Sequence, residues 1–264
     1  MPLRRPRLLM RAILFLIGIW ITGCLPRAGY CEWVDARRNG QFRIHAEFQL
    51  DQIDPLLETI QEQRADIAAT LGLQPGESPI VICLFASYTT YVRYISQHAP
   101  AGVNRRALFV RGDTAGFVYV YRHPRFETDL RHEVTHAILH SMLPFLPLWL
   151  DEGLAEYFEV RALQRSSANP HQLRMKWASR LGWKPNLKRL ESRNTLSDFS
   201  AADYREAWAW VHFLLHGSDE GSRLLRSYLA TIQQETPPGP FSRHLNRVLP
   251  NSGRQLTAHL KQWR

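Results

Sequence analysis

The spacing of apolar residues changes at Pro124, and that change restricts the fold more than any other feature of this chain. Upstream, Phe42, Ile44, Ala46 and Phe48 alternate with polar residues, as in a half-buried strand. Ile53, Leu56, Leu57, Ile60, Ile67 and Leu71 then fall at helical spacing over 50–71, a stretch closed by Gly72. Residues 79–86 are continuously apolar and predict a central strand, and 88–97 predict a short helix stopped before Pro100. A hairpin is expected from 107–111, a turn through Gly112, Asp113 and Gly116, and 117–121.

Downstream of Pro124 helix follows helix and no strand is predicted. The helical stretches are 125–142, broken by Pro144 and Pro147, then 151–164, 204–216, 220–233 and, after Pro237, Pro238 and Pro240, 254–263. The expected fold class is α+β. A mixed α/β lobe over 41–123, with a small sheet and an edge hairpin, precedes a mainly helical lobe over 124–264.

The N-terminus reads as an address. Arg4, Arg5, Arg7 and Arg11 precede an apolar run over 12–21, the layout of an export signal over 1–23 and too short to span a bilayer comfortably. Ile21-Thr22-Gly23-Cys24 resembles the lipobox of bacterial lipoproteins, which implies acylation of Cys24 and a membrane anchor facing the periplasm. The alternative is a soluble export signal cut before Trp33, giving a periplasmic or secreted protein. Residues 24–40 are read as a linker. Losing the four signal arginines lowers the formal charge from +9 to +5, and no basic block interleaved with aromatics follows, so no nucleic-acid partner is expected. Cys31 and Cys83 could pair in an oxidising compartment, or Cys83 could be a plain buried residue of its apolar run.

The chemistry concentrates in the first helix after Pro124. His132-Glu133-Val134-Thr135-His136 is an HExxH pattern. At about 100° per residue the two imidazoles lie roughly 40° apart on one face, with Glu133 roughly 60° further round. Two rings can grip one ion while the carboxylate reaches water beside it, the geometry of a zinc hydrolase. A His-rich solvated face, extended by His140, is the bland alternative. A third ligand must come from elsewhere, and a helix pair turned by Pro144 and Pro147 would return Glu152 to the level of the histidines. Glu152 and Glu156 share a face one turn apart and repel unless a cation opposes them. Zinc for Glu152 and an imidazole N–H for Glu156 would do so; pairing with Arg131 or Arg161, or plain exposure, is the alternative.

HEVTH followed by Trp149-Leu150-Asp151-Glu152-Gly153-Leu154-Ala155-Glu156-Tyr157-Phe158 resembles the gluzincin metallopeptidases, most closely the small bacterial peptidase MA-like family. The resemblance covers roughly 42–264, with its specific part within 130–158. It implies a zincin-like domain over 41–264 with the active-site helix at the junction of two lobes. It further implies one Zn2+ held by His132, His136 and Glu152, Glu133 as general base, and Glu156 as the acid that orients the first histidine. Asp151 is the nearest substitute for the third ligand. Tyr204-Arg205-Glu206-Ala207-Trp208-Ala209 resembles the helix of aminopeptidase N relatives whose leading Tyr steadies the oxyanion, which implies that role for Tyr204; packing is the alternative. His212 and His216 lack an intervening acid in HExxH order and read as packing or surface residues. In this fold class an edge strand beside the metal helix holds the peptide, and Ala115, Gly116 and Phe117 are the expected edge.

These readings imply zinc-dependent hydrolysis of a peptide or protein substrate in the bacterial cell envelope. Internal bonds are favoured, because no acid on 107–121 outside the turn could hold a free amine. The alternatives are an exported zinc-binding protein without turnover and a structural lipoprotein without metal.

Overall fold

Sheet order, rather than strand number, decides which backbone faces the helix that carries His132 and His136. In the computed structural model, which describes residues 32–165 and 169–262, five strands line up as β1 (Asp35–Asn39), β2 (Phe42–Ala46), β3 (Ile80–Phe85), β5 (Gly116–Tyr121) and β4 (Ala107–Arg111). β3 is central and parallel to both neighbours, and each flanking pair is antiparallel. Its continuous apolar run follows, because both of its faces are covered. Ile80, Ile82 and Leu84 join one core with α1 (Asp54–Leu71), while Cys83 and Phe85 join a second with Tyr91 and Ile95 of α2 (Tyr88–His98).

Two strand expectations need correction. The stretch read as a linker contains β1, which pairs along the whole of β2 through a tight turn at Gly40, where φ is +58°. Asp-Ala-Arg-Arg-Asn has no apolar alternation; it is a charged edge strand, and charge is what protects an edge from further pairing. In the hairpin the order is the reverse of that expected. Gly116 and Phe117 lie on β5 between β3 and β4, and Ala115 belongs to the turn, its carbonyl accepting from Gly112 N–H at 3.0 Å. The exposed edge is β4. Val118, Tyr119 and Val120 make β5 the more buried strand, so it takes the inner place, while β4 ends outward in Arg111.

Beyond Tyr121 every regular element among the described residues is helical: α3 (Phe126–Met142), α4 (Leu148–Phe158), α5 (Gln172–Arg180), α6 (Leu187–Glu191), α7 (Ala201–His216), α8 (Asp219–Gln233), α9 (Phe241–Val248) and α10 (Ser252–Gln262). α4 begins three residues before its expected start, because Pro147 sits at the N-cap with a φ of −59°. α7 likewise starts before Tyr204, since Ser200 and Asp203 form a reciprocal capping box. α3 lies across β4 and β5 and against α1 and α4, and α4 packs on α7. Gly153 permits that last contact: a Cβ there would stand 2.7 Å from the Ala207 carbonyl oxygen.

The described residues fall in one compact unit, which takes in 32–40 ahead of the expected boundary at 41. The export segment 1–23, Cys24 and Cys31 lie outside the described residues. Cys83 is buried and unbridged. Among the described residues no helix is long and apolar enough to cross a membrane.

Candidate metal centre

α3 is pinned before it presents any chemistry. Gln63 of α1, itself buried, donates to Thr135 Oγ1 at 2.6 Å and to the Arg131 carbonyl at 3.0 Å, fixing the helix between the two histidines. Arg131, also buried, points to the end of α4, where its guanidinium donates to the carbonyls of Glu159 at 2.9 Å and Phe158 at 3.3 Å. A cation on the last carbonyls of a helix satisfies orphan acceptors and the negative end of its dipole. Arg161 instead pairs with Glu127 at 2.6 Å, so neither arginine is the partner of Glu152 or Glu156.

With both helices fixed, His132, His136 and Glu152 converge. Glu152 Oε2 lies 3.5 Å from His132 Nε2 and 3.6 Å from His136 Nε2, and the two Nε2 atoms are 3.2 Å apart. This group could hold a metal ion. Two imidazole nitrogens and one carboxylate oxygen also leave a coordination position open, as a catalytic site requires.

Both rings are oriented from behind. His132 Nδ1–H donates to Glu159 Oε2 at 2.9 Å, and His136 Nδ1–H donates to Asp151 Oδ1 at 2.8 Å. A carboxylate on Nδ1 fixes the tautomer and turns the Nε2 lone pair inward. Phe109 of β4 flattens against the rings of His136 and His140, with centroids 6.2 and 5.4 Å apart. The electrostatics agree with the geometry. Burial works against charged imidazoles, yet the surrounding carboxylates outweigh it, holding His132 well above 6.5 and His136 up to about 10. Burial likewise opposes the Glu152 carboxylate, and the two histidines override it, down to about 2. The field at the meeting point therefore favours a positive charge.

Here one predicted role moves. Glu156 does not orient His132: its Oε2 is 2.7 Å from His171 Nε2, and Glu159 stands behind the ring. The reason is helical phase. Seven residues bring Glu159 back to within about 20° of Glu152, whereas Glu156 is about 40° away. Glu156, Glu159 and His132 remain close enough to form another grouping able to hold an ion. Asp151, the expected substitute ligand, backs His136 instead.

The His132, His136 and Glu152 cluster opens into a cleft of about 1040 Å³, bordered by Glu133, Tyr204 and the 104–109 segment that leads into β4. Ala115, Gly116 and Phe117 do not border it. Burial raises the Glu133 carboxyl above the ordinary range, against the pull of His132 and His136. Burial, with the charge of Glu152, lifts the Tyr204 phenol to about 12, so it stays protonated near neutrality. Its ring stands edge-on to Phe199 at 4.9 Å. His212 and His216 are elsewhere in the helical core, His212 Nδ1 at 2.9 Å from His259 Nε2 and His216 Nε2 at 3.0 Å from Tyr157 Oη. No protein-family model and no curated protein matches the chain.

Sequence reasoning missed Glu159, His171 and the whole β4 wall. The Glu152-to-Glu159 spacing of two helical turns was the available signal for the first. Nothing local marks the other two, which depend on how distant segments pack.

Proposed function

We propose that this chain is a zinc-dependent peptidase of the bacterial cell envelope. The supporting observation is the convergence of His132, His136 and Glu152, each histidine backed by its own carboxylate, in a cleft that Glu133 also borders. His132, His136 and Glu152 would hold the ion, which would supply Lewis acidity, lowering the pKa of water and polarising a carbonyl. Glu133, one residue beyond His132 and turned into the cleft, accepts the proton of the attacking water and returns it to the leaving amine. Tyr204 remains a phenol and donates to the developing oxyanion.

The substrate lies extended along β4, whose outer main-chain groups are unpaired in the sheet and can add a strand. β4 itself carries no carboxylate to hold a free α-amine, which favours internal bonds over N-terminal trimming. Export, and anchoring through a lipid on Cys24, complete the proposal.

Metal analysis combined with a peptide-library digest tests it. Wild type should bind one zinc and cleave, Glu133→Gln should keep the zinc and lose cleavage, and His132→Ala should lose the zinc. Cleavage by Glu133→Gln at the parent rate would sink the assignment.

A further inference from the structure

Five arginines border the cleft, and they fall into two groups. Arg106 donates to Asp129 at 2.8 Å, and Arg125 lies 3.9 Å from the same carboxylate. Arg105, Arg174 and Arg205 make no ion pair or side-chain hydrogen bond with any described residue. They come from three separate segments, the loop before β4, α5 and α7, yet all three border the cleft that holds the metal cluster.

The acids of the cleft form no ion pair with them. Leaving aside Glu133 and the cluster's Glu152, four carboxylates border it: Asp129, Asp151, Glu156 and Glu159. Asp129 is taken by Arg106, Asp151 by His136 and His140, Glu156 by His171, and Glu159 by His132. A ligand entering the cleft therefore meets three guanidinium groups without an ion-pair or hydrogen-bond partner, whereas every carboxylate outside the catalytic set already has one. Arg105 and Arg174 are exposed and Arg205 half-buried, so each can swing onto a ligand without breaking an internal contact. A guanidinium matches a carboxylate with two parallel hydrogen bonds, which fixes direction as well as charge.

We infer that the cleft selects peptides bearing acidic side chains close to the scissile bond, and that Arg105, Arg174 and Arg205 read those side chains. The inference rests on the peptidase reading for the placement of the peptide. It does not need turnover to be tested. The other carboxylate a peptide offers is its C-terminus, so the probes must separate the two sources.

Fluorescent peptides of one backbone sequence, with Glu, Gln or Lys flanking the central bond and both ends blocked, are titrated into zinc-loaded full-length Glu133→Gln protein and followed by anisotropy. The Glu peptide should bind about tenfold or more tightly than the Gln peptide, the range that three exposed ion pairs reach together, and the gap should narrow with salt. Adding R105Q, R174Q and R205Q together should erase the preference, the three Arg→Lys changes should keep it, and each single Gln change should reduce it. Equal affinity for the Glu and Gln peptides, or a preference that survives the triple Gln change, overturns the inference. So does tight binding of the Gln peptide only when its C-terminus is left free, which would assign the arginines to a terminal carboxylate. If wild type cleaves nothing but the arginine-dependent preference is present, the peptidase reading fails and the selectivity stands. If wild type cleaves without acid preference, the selectivity fails and the peptidase reading stands.

Discussion

Asp151 sets its two carboxylate oxygens on two rings of α3: Oδ1 lies 2.8 Å from His136 Nδ1, and Oδ2 lies 2.8 Å from His140 Nε2. His136 and His140 are one helical turn apart, so a single acid at the start of α4 grips two turns of α3. Burial opposes ionisation of Asp151, but the two histidines outweigh it and hold the carboxyl below the ordinary range. The acid is thus an anion that accepts and cannot donate, which is the state that keeps a proton on His136 Nδ1 and leaves Nε2 as the nitrogen that can exchange its proton for a metal ion.

Asp151→Asn keeps the shape of that side chain and removes the charge. Its amide can also turn a donor toward Nδ1, which favours the wrong tautomer of His136. Zinc affinity should fall about 10- to 100-fold while the far-ultraviolet circular dichroism stays that of the parent. Competition against a chromophoric chelator measures this, and unchanged affinity would remove the orienting role.

A parallel pair separates Glu159 from Glu156. Glu159→Gln strips the acceptor behind His132 and should weaken zinc by a similar factor, about 10- to 100-fold. Glu156→Gln should leave zinc affinity within about twofold and release only His171, because a neutral amide there still meets no metal ligand's ring nitrogen. The same chelator titration reads both, and the reverse ranking would restore Glu156 as the orienting acid.

How far this centre can be read from sequence follows from where each residue's position is decided. His132, Glu133 and His136 belong to one helix, so their relative placement follows from helical phase alone. Glu152 needed one further step, a turn at Pro144 and Pro147 that folds the next helix back, and the prolines supply that signal. Glu156 and Glu159 differ by a rotation of less than a turn, which a family pattern can mislead. β4 and β5 are both apolar and aromatic, and which becomes the edge depends on the partner that β3 accepts. β1 has no hydropathic signature at all, since an edge strand of charged residues is held by its main chain. The central strand, the closure of α1 at Gly72 and the run of helices after Pro124 were all visible, because each depends on local spacing or a local breaker.

The helical core carries a prediction for acid. His212 is 1% exposed, and burial, with His216 and His259 beside it, depresses its pKa to about 2; burial also lowers His216 and His259. The folded state therefore keeps these rings neutral while the unfolded chain protonates them near 6.5. More protons are bound in the unfolded state, so stability is full above that pH and is lost as pH falls below it, by about 1.4 kcal/mol per pH unit for one such proton. In urea melts between pH 7 and 4, His212→Asn should show a shallower decline than wild type. Parallel declines would mean that His212 is protonated in the folded state as readily as in the unfolded one.

Gly153 tests whether the close approach of α4 to α7 matters to the site. A methyl group at this position would meet the Ala207 carbonyl oxygen at 2.7 Å, and the Ala207 carbonyl carbon and Val211 Cγ2 at 2.9 Å. Two of these three atoms are backbone, so the contact cannot be relieved by turning one side chain, and the helices must part. Gly153→Ala should cost about 1–3 kcal/mol despite the better helix propensity of alanine. In a chain this long that lowers Tm by about 2–4 °C per kcal/mol. Glu152 is the adjacent residue on α4 and Tyr204 lies on α7, so parting the helices also separates the Glu152 carboxylate from the phenol. Zinc should then stabilise Gly153→Ala by a smaller rise in Tm than it gives the parent. Equal rises would show that the close packing serves the core alone.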